Sequence, residues 1–208
     1  MEQAAVQRQS ARQEASERRR REILDAALAC FAARGYGATT MADIRKRAGA
    51  STGSIYHHFK SKEHLAAQLY LEGVRSSQEH GLGSLLAVQR TEDGIRALVE
   101  SYLTWVQDNP QLAAFLFAMR HADFMEPVES ELDRMNRTTI ETATEWFRAR
   151  IQSEELPDLS PDVLRAILYG PAAHFARRYL AGDADVDLRT AKRQLADAAW
   201  HALRAARS

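Results

Sequence analysis

Hydrophobic positions recur with the period of an α-helix along most of this chain. From Ile23 onward, apolar residues return every three or four positions, which is the spacing of one helix face. The clearest stripe comprises Ile95, Leu98, Val99, Tyr102, Leu103 and Val106. No segment keeps the strict alternation of apolar and polar residues that is typical of a β-strand. The pattern therefore predicts an all-α protein of about nine helices.

Residues that start and stop helices separate the periodic segments. Thr40 with Asp43 has the spacing of a capping box, and Gly35 and Gly182 follow helical runs where glycine commonly ends a helix. Pro127 is expected to open a long helix in its first turn. The other predicted N-terminal signals are Ser51, Ser61, Asn109-Pro110, Ser160-Pro161 and either Asp185 or Asp187.

The spacing of these signals divides the chain into three parts. Residues 1–17 have few large apolar side chains, so they are expected to form a flexible basic arm. Residues 18–64 contain short helices, and residues 65–208 contain long amphipathic ones. We therefore expect a small N-terminal domain joined to a larger helical domain.

The charges follow the same division. The 208 residues contain 28 Lys and Arg and 28 Asp and Glu, which alone argues against a nucleic-acid-binding protein. Through His64, however, there are 12 basic and 7 acidic residues, a balance of +5, and the remainder has 16 and 21, a balance of −5. This asymmetry indicates a basic module joined to an acidic one.

Several classes of protein are disfavoured by composition. No apolar run reaches the roughly 18 residues of a membrane span. The arginine-rich N-terminus lacks the apolar core of a secretory signal. Cys30 is the single cysteine, so no intrachain disulfide is expected and a cytoplasmic location is predicted.

The segment 39–62 has the organisation of a helix-turn-helix. Two short helices are separated by Ala48-Gly49-Ala50-Ser51, and the second helix of such a motif can enter the DNA major groove. That helix opens with the small or hydroxylated residues Ser51, Thr52, Gly53 and Ser54, which permit close approach to a duplex. Ile55 and Phe59 would anchor it to a core, while Tyr56 and His57 can point outward. The alternative is a packing corner with a solvated face.

Lys62 lies in the first turn of the next predicted helix, where the helix dipole disfavours a cation. A phosphate beside it would relieve that conflict.

The run from Arg21 to Lys62 resembles the N-terminal DNA-binding domain of the TetR/AcrR transcriptional regulators. The similarity covers only the first third of the chain, but many positions match in order over about 45 residues. The matching residues are Ile23-Leu24-Asp25-Ala26-Ala27, Phe31, Gly35-Tyr36, Thr39-Thr40, Ile44, Ala48-Gly49, Ser51, Gly53, Ile55-Tyr56, Phe59, Lys60, Lys62 and Leu65.

The resemblance implies roles for individual positions. Thr40 would donate to a phosphate, and the residues of the segment 51–54 would sit at or in the major groove. Tyr56 and His57 would contact backbone phosphates or a base edge, and Lys62 would reach a phosphate. The run Arg18–Arg21 either adds phosphate contacts or is a solvated helix start.

A single motif buries too little surface for a specific complex, so a dimer on a near-palindromic site is expected, with half-sites roughly 34 Å apart. The resemblance implies that the last two helices, near 161–181 and 187–206, pair with those of a second copy. Small residues there would permit close helix approach; ordinary intrachain core is the alternative. The candidate interface residues are Ala172, Phe175, Ala176, Leu195, Ala199 and Leu203.

The middle helices have more bulky apolar residues than one stripe needs. This surplus is consistent with a pocket for a small apolar effector, which the resemblance also implies, although tight core packing is the alternative for each residue. The candidate pocket residues are Tyr102, Trp105, Phe115, Phe117, Met119, Phe124 and Met135, with His121 and His174 as possible polar contacts.

These features favour a homodimeric transcriptional repressor that binds double-stranded DNA and is released by a small molecule. A helical enzyme is an alternative from another class, but no phosphate-binding loop, nucleophile elbow or metal-ligand spacing supports it. We therefore expect no catalytic residue, metal or cofactor. A helical adaptor that uses the motif for protein contacts is the remaining alternative.

Overall fold

The protein is all-α, as its periodicity predicts. The computed structural model describes residues 2–120, 122 and 126–206, without the side chains of residues 2–6, 8, 126–129, 133, 135, 136, 138 and 140. Over these residues it contains α-helices and no strand. The helices are α1 (Glu2–Ala38), α2 (Met41–Arg47), α3 (Thr52–His58), α4 (Lys62–Leu86), α5 (Thr91–Asp108), α6 (Pro110–Met119), α7 (Glu126–Gln152), α8 (Pro161–Ala181) and α9 (Leu188–Ala205).

The chain forms two compact units. The first includes Met1–Tyr70, and the second includes Leu71–Arg120 and Glu126–Ser208. The division falls inside α4, a short way beyond the boundary expected at residue 64. The first turns of α4 belong to the first unit because they supply Leu65 and Leu69 as buried residues.

The first unit has an apolar core to which each of its helices contributes. Ile23 and Leu24 of α1, Ile44 of α2 and Ile55 of α3 are at most 1 % exposed. Burying such a side chain contributes about 1.5–3 kcal/mol. The short helices α2 and α3 are therefore held by tertiary packing, since helices of this length are not stable alone.

The N-terminal arm is helical rather than irregular, because α1 begins at Glu2. The described side chains over 7–15 are exposed, so no apolar stripe predicts this helix. Its residues are nevertheless good helix formers, and Ser10 bonds to Glu14 one turn on. The helix is interrupted at Gly35, whose φ of 78° and ψ of 159° suit glycine almost alone.

The second unit is built around α5, which packs chiefly against α8 and α9. Ile95, Leu103 and Val106 of α5 are completely buried. Gly94 allows α7 to approach α5, because a Cβ at this position would lie 2.8 Å from Cη2 of Trp146 and closer still to its Cζ2.

The helix boundaries of the second unit follow the predicted signals. Pro110 and Pro161 open α6 and α8, and the Ser160 hydroxyl accepts from the Val163 N–H. Gly182 ends α8 in the left-handed conformation, and of the two candidate caps it is Asp187 that caps α9. None of the described helices combines the length and apolar character needed to cross a membrane.

Candidate functional site

The start of α2 has the predicted capping box. The Thr40 hydroxyl accepts from the Asp43 N–H at 3.2 Å and donates to the Asp43 carboxylate at 2.7 Å. That carboxylate also accepts from the Thr40 N–H at 3.0 Å and pairs with Arg34 at 3.2 Å. The hydrogen bonds from Thr40 are the main reason that the pKa of Asp43 is lowered. Thr40 is exposed, but the proton it would offer a phosphate is donated to Asp43.

The turn between α2 and α3 is held from α1. Gly49 adopts a φ of 56°, the conformation that glycine tolerates best, and the Ala50 N–H donates to Arg45 O at 3.0 Å. Arg19 donates to Ala48 O at 3.2 Å and to Gly49 O at 2.8 Å, and Glu22 pairs with the same guanidinium at 2.7 Å. Arg19 thus fixes the loop that leads into α3.

The basic run of α1 therefore has a structural use. Arg20 donates to Gln68 at 3.1 Å and lies 5.8 Å from the centre of the Phe59 ring. Both Arg19 and Arg20 bond to the folded chain, a role that the sequence did not predict for this run. Sequence reasoning missed them because their partners lie 29 to 48 positions away.

Helix α3 presents the predicted DNA-facing residues on its outer side. Its N-cap Ser51 accepts from the Ser54 N–H at 3.1 Å, which leaves the hydroxyl proton of Ser51 available. Ile55 and Phe59 are completely buried and anchor the inner face. The exposed residues are Ser51, Thr52, Gly53, Tyr56 and His57, with Ser54 half-buried.

Two positions on this outer face suit a close-fitting partner. A Cβ at Gly53 would meet no atom within 4 Å, so the fold itself does not require glycine there. Tyr56 is 51 % exposed although it is a large aromatic residue. Both features fit a surface that approaches another molecule.

Lys62 is bound within the first unit. Its ammonium donates to Tyr36 O at 3.0 Å and lies 4.4 Å from the centre of the Tyr36 ring. These contacts relieve the conflict with the helix dipole that the sequence suggested a phosphate would relieve. The ammonium has three N–H donors, so a further acceptor can still be accommodated. Burial and the nearby Glu63 carboxylate raise the pKa of Tyr36 to about 12.

Two histidines close to α3 favour the neutral form. Partial burial lowers the pKa of His58, and the neighbouring His57 adds to the effect. Partial burial also lowers the pKa of His64, assisted by Lys60, and the Lys60 N–H donates to His64 Nδ1 at 3.2 Å. That bond requires an unprotonated Nδ1.

The second unit contains a cavity of about 350 Å³ bounded by α4, α5, α7 and α8. Of the predicted pocket residues, Tyr102 lines it, whereas Trp105, Phe115, Phe117 and Met119 do not. The cavity is lined by Ser77, Gln78, Gly81, Leu82, Leu85, Leu98, Tyr102, Thr139, Ala143, Thr144, Phe147, Pro161, Leu164, Arg165, Leu168 and Tyr169.

The aromatic residues that the sequence assigned to a pocket serve the fold instead. Trp105 is 4 % exposed and donates to Ser76 Oγ at 3.0 Å, and Phe115 is 6 % exposed. Phe117 lies beneath the Arg177 guanidinium, and Met119 is half-buried. His174 is exposed and does not line the cavity. Phe124, His121 and the side chain of Met135 lie outside the described residues.

The residues expected at a dimer interface fall into two groups. Four of them are at most 5 % exposed and belong to the core of the single chain: Ala172, Ala176, Ala199 and Leu203. For these four residues the structure agrees with the alternative of ordinary core packing within one chain. Phe175 and Leu195 are half-buried. An apolar groove between α8 and α9 lies beside them; its more exposed lining residues are Val163, Ala166, Ile167, Pro171, Leu195, Ala198 and Ala202.

No metal-binding group was found: within the described ranges, no three His, Cys, Asp or Glu side chains are placed to hold an ion. Cys30 is buried in the first unit.

This chain is similar to bacterial regulators of the TetR family, in sequence over its N-terminal part and in fold over most of its length. The family model described as "Bacterial regulatory proteins, tetR family" matches residues 23–69. Over 51 residues the chain is 53 % identical to the HTH-type transcriptional repressor KstR2 of Mycobacterium tuberculosis, which covers 24 % of this chain and 26 % of the relative. The matched segment therefore spans about a quarter of the length of the curated relatives.

Solved structures share the fold over nearly the whole chain. A TetR family transcription regulator from Marinobacter aquaeolei VT8 has a TM-score of 0.75 at 18 % identity, covering 93 % of this chain and 98 % of that one. The regulator FadR from Bacillus subtilis, solved in complex with stearoyl-CoA, has a TM-score of 0.72 at 19 % identity, covering 86 % and 96 %. At such low sequence identities, these structural similarities show a shared fold.

Proposed function

Because this chain belongs to the TetR family of bacterial regulatory proteins, we propose that it is a homodimeric, sequence-specific DNA-binding repressor. It would act in the cytoplasm on a near-palindromic operator and would be released by a small, largely apolar effector. The family is one of regulators, so the helical-enzyme alternative is set aside.

The observation that carries this proposal is the outer face of α3. Small, hydroxylated and aromatic side chains are exposed there while Ile55 and Phe59 lock the inner face to the core. A helix presented in this way fits the major groove, where side chains at its N-terminal end contact base edges. We assign this contact to Ser51, Thr52, Gly53, Ser54, Tyr56 and His57, with Thr40 and Lys62 on flanking phosphates.

A second copy is proposed for the groove between α8 and α9. Val163 at 47 % exposure is a large apolar side chain at this surface, and Ala198 and Ala202 are small enough for another helix to approach closely. Two helices from each copy would form a four-helix interface with two-fold symmetry. A two-fold symmetric dimer carries two copies of α3, which suits a near-palindromic site with its half-sites on successive turns of the duplex.

The test is selection of bound sequences from random DNA by the purified full-length chain. The expected product is a near-palindrome, bound with an affinity that falls steeply as salt rises, because phosphate contacts release counterions. A gel shift in which the selected site competes no better than random DNA would refute sequence-specific binding. Dissociation of the complex in a small-molecule screen would test effector control.

A further inference from the structure

The cavity of the second unit has a charge pattern that restricts its ligand. Its volume of about 350 Å³ is at the lower end of the usual range for small-molecule sites. Five leucines and Phe147 are the bulky aliphatic and phenyl side chains among its described lining residues. Among the described lining residues, Arg165 is the one charged side chain and none is acidic.

Arg165 reaches the cavity from the same face of α8 as its apolar wall. The lining residues of α8 are Pro161, Leu164, Arg165, Leu168 and Tyr169, which have the spacing of one helix face. The ion pair of Arg165 with Asp162 is long, at 3.8 Å, and Asp162 is 96 % exposed, so it competes weakly for the guanidinium. Because the Arg165 side chain is itself 61 % exposed, an anion in the cavity would replace water at the guanidinium rather than a strong ion pair.

Two tyrosines add hydrogen-bond donors to the same cavity. Tyr102 and Tyr169 meet edge to face with ring centres 5.6 Å apart. Neither hydroxyl has a hydrogen-bond partner in the part of the chain that the structure describes. Burial raises the pKa of each to about 12, so both keep their protons and remain donors near neutral pH.

We propose that this cavity binds an acyl chain ending in an anionic group, with the chain against the leucines and the anion at Arg165, Tyr102 and Tyr169. The inference rests on the proposed function, because the cavity would be the effector site. A purely apolar ligand would leave the half-buried hydroxyls of Tyr102 and Tyr169 without an acceptor, which costs free energy, and would make no use of the charge on Arg165. A free fatty acid carries a carboxylate directly on the chain, and an acyl-CoA carries phosphates further along the same ligand beyond an uncharged thioester, so both combine an apolar chain with an anion.

The test is calorimetric titration of the full-length chain with decanoate, decanoyl-CoA, coenzyme A alone and 1-decanol. We expect decanoate or decanoyl-CoA to bind at least about tenfold more tightly than 1-decanol, the effect of one charge-assisted contact. Whichever of the two binds more tightly identifies the source of the anion. In an added titration with octanoate, each methylene between octanoate and decanoate should strengthen binding about threefold to fourfold.

Three variants locate the binding. Arg165→Gln should remove the preference for the anion, and the matched control Arg148→Gln, an exposed arginine of α7 outside the cavity lining, should keep it. Ala143→Trp should fill the cavity and abolish binding of every chain. Unfolding midpoints would establish that each variant is folded.

The inference is overturned if 1-decanol binds as well as both anions, if coenzyme A alone matches decanoyl-CoA, or if no acyl chain binds. Affinity for the selected DNA site is measured separately without ligand. If the chain binds its DNA site but shows no preference for the anionic acyl ligands, this inference is rejected and the proposed function stands.

Discussion

Arg19 connects α1 to the turn that positions α3, and this contact has a measurable consequence. Arg19→Ala removes the donors to Ala48 O and Gly49 O. Since these bonds are partly exposed, we expect a loss of about 1 kcal/mol in unfolding free energy. The looser turn should weaken operator binding by about tenfold, measured by fluorescence anisotropy.

Arg18→Ala is the matched control, because Arg18 is exposed at the adjacent position. Equal affinities of the Arg18 and Arg19 variants would show that the arginines act only through their charge.

Lys62 is the residue at which a structural and a DNA-binding role can be separated. Lys62→Met keeps the apolar stem beside Tyr36 and removes the charge. If Lys62 also contacts a phosphate, the slope of log affinity against log salt should become shallower by about one per protomer. An unchanged slope with a uniformly lower affinity would limit Lys62 to holding Tyr36 O. Titration of operator binding at several salt concentrations distinguishes the two.

The histidines near α3 make the free protein sensitive to acid. The pKa values of His58 and His64 are lowered in the folded chain, so the unfolded chain binds more protons as pH falls below about 6.5. Stability should therefore be full above that pH and decline as pH falls towards the folded pKa values.

Chemical unfolding between pH 7.5 and pH 5.5 measures this decline. His64→Gln should reduce it, whereas His80→Gln, at an exposed site of the second unit, should not. A decline that is the same in both variants would exclude His64 as its source.

At the scale of helices, the contact between Gly94 of α5 and Trp146 of α7 limits substitution. Gly94→Ala would place a methyl group against the indole ring, and we expect a net loss of about 1–3 kcal/mol despite the better helix propensity of alanine. Gly83→Ala in α4 is the matched control, because a Cβ there meets nothing within 4 Å and should stabilise the chain by up to about 1 kcal/mol. Urea unfolding compares them; a gain at both sites would contradict the close packing.

The helix boundaries were predictable because their causes are local. Thr40, Ser51, Ser160 and Asp187 each cap a helix through a hydrogen bond to a residue three positions on. A preference of this kind is visible in any short window of sequence. The helical N-terminal arm was not predicted, since propensity rather than an apolar stripe produces it.

The cavity could not be found from the sequence in the same way. A surplus of aromatic residues suggested a pocket near Trp105, but that indole finds its partner in Ser76 on another helix. The cavity lies instead where Gly81 and Ala143 leave space among larger residues. Small residues such as Gly81 and Ala143 at inward helical positions are the sequence signal that indicates such a cavity. Which inward positions face one another depends on tertiary packing.

At the scale of the whole molecule, the dimer proposal predicts how assembly and DNA binding are linked. Ala198→Glu combined with Ala202→Glu would put two carboxylates in the groove between α8 and α9. Both positions are exposed in the single chain, so folding should be retained while the mass in light scattering falls to that of a monomer. Operator affinity should fall at least about a hundredfold, since one motif binds too little surface.

Ala114→Glu on the exposed side of α6 is the control and should leave the dimer intact. A double variant that stays dimeric would place the interface elsewhere.

The zero net charge of the chain is compatible with DNA binding because the charges are distributed unevenly. The segment through His64 has a balance of +5 and the remainder −5. In a dimer the basic segment would be present twice along one duplex. The acidic part favours orientations in which it stays away from phosphate.

The capping box at Thr40 has a consequence for the unbound state. The Asp43 carboxylate occupies the hydroxyl and the N–H of Thr40, two donors that a DNA phosphate would otherwise take. The Asp43 carboxylate, paired with Arg34, thus accepts the hydrogen bonds that a phosphate would accept from Thr40. The start of α2 is thus already formed in the chain without DNA, so a phosphate at Thr40 would replace the Asp43 carboxylate as the acceptor.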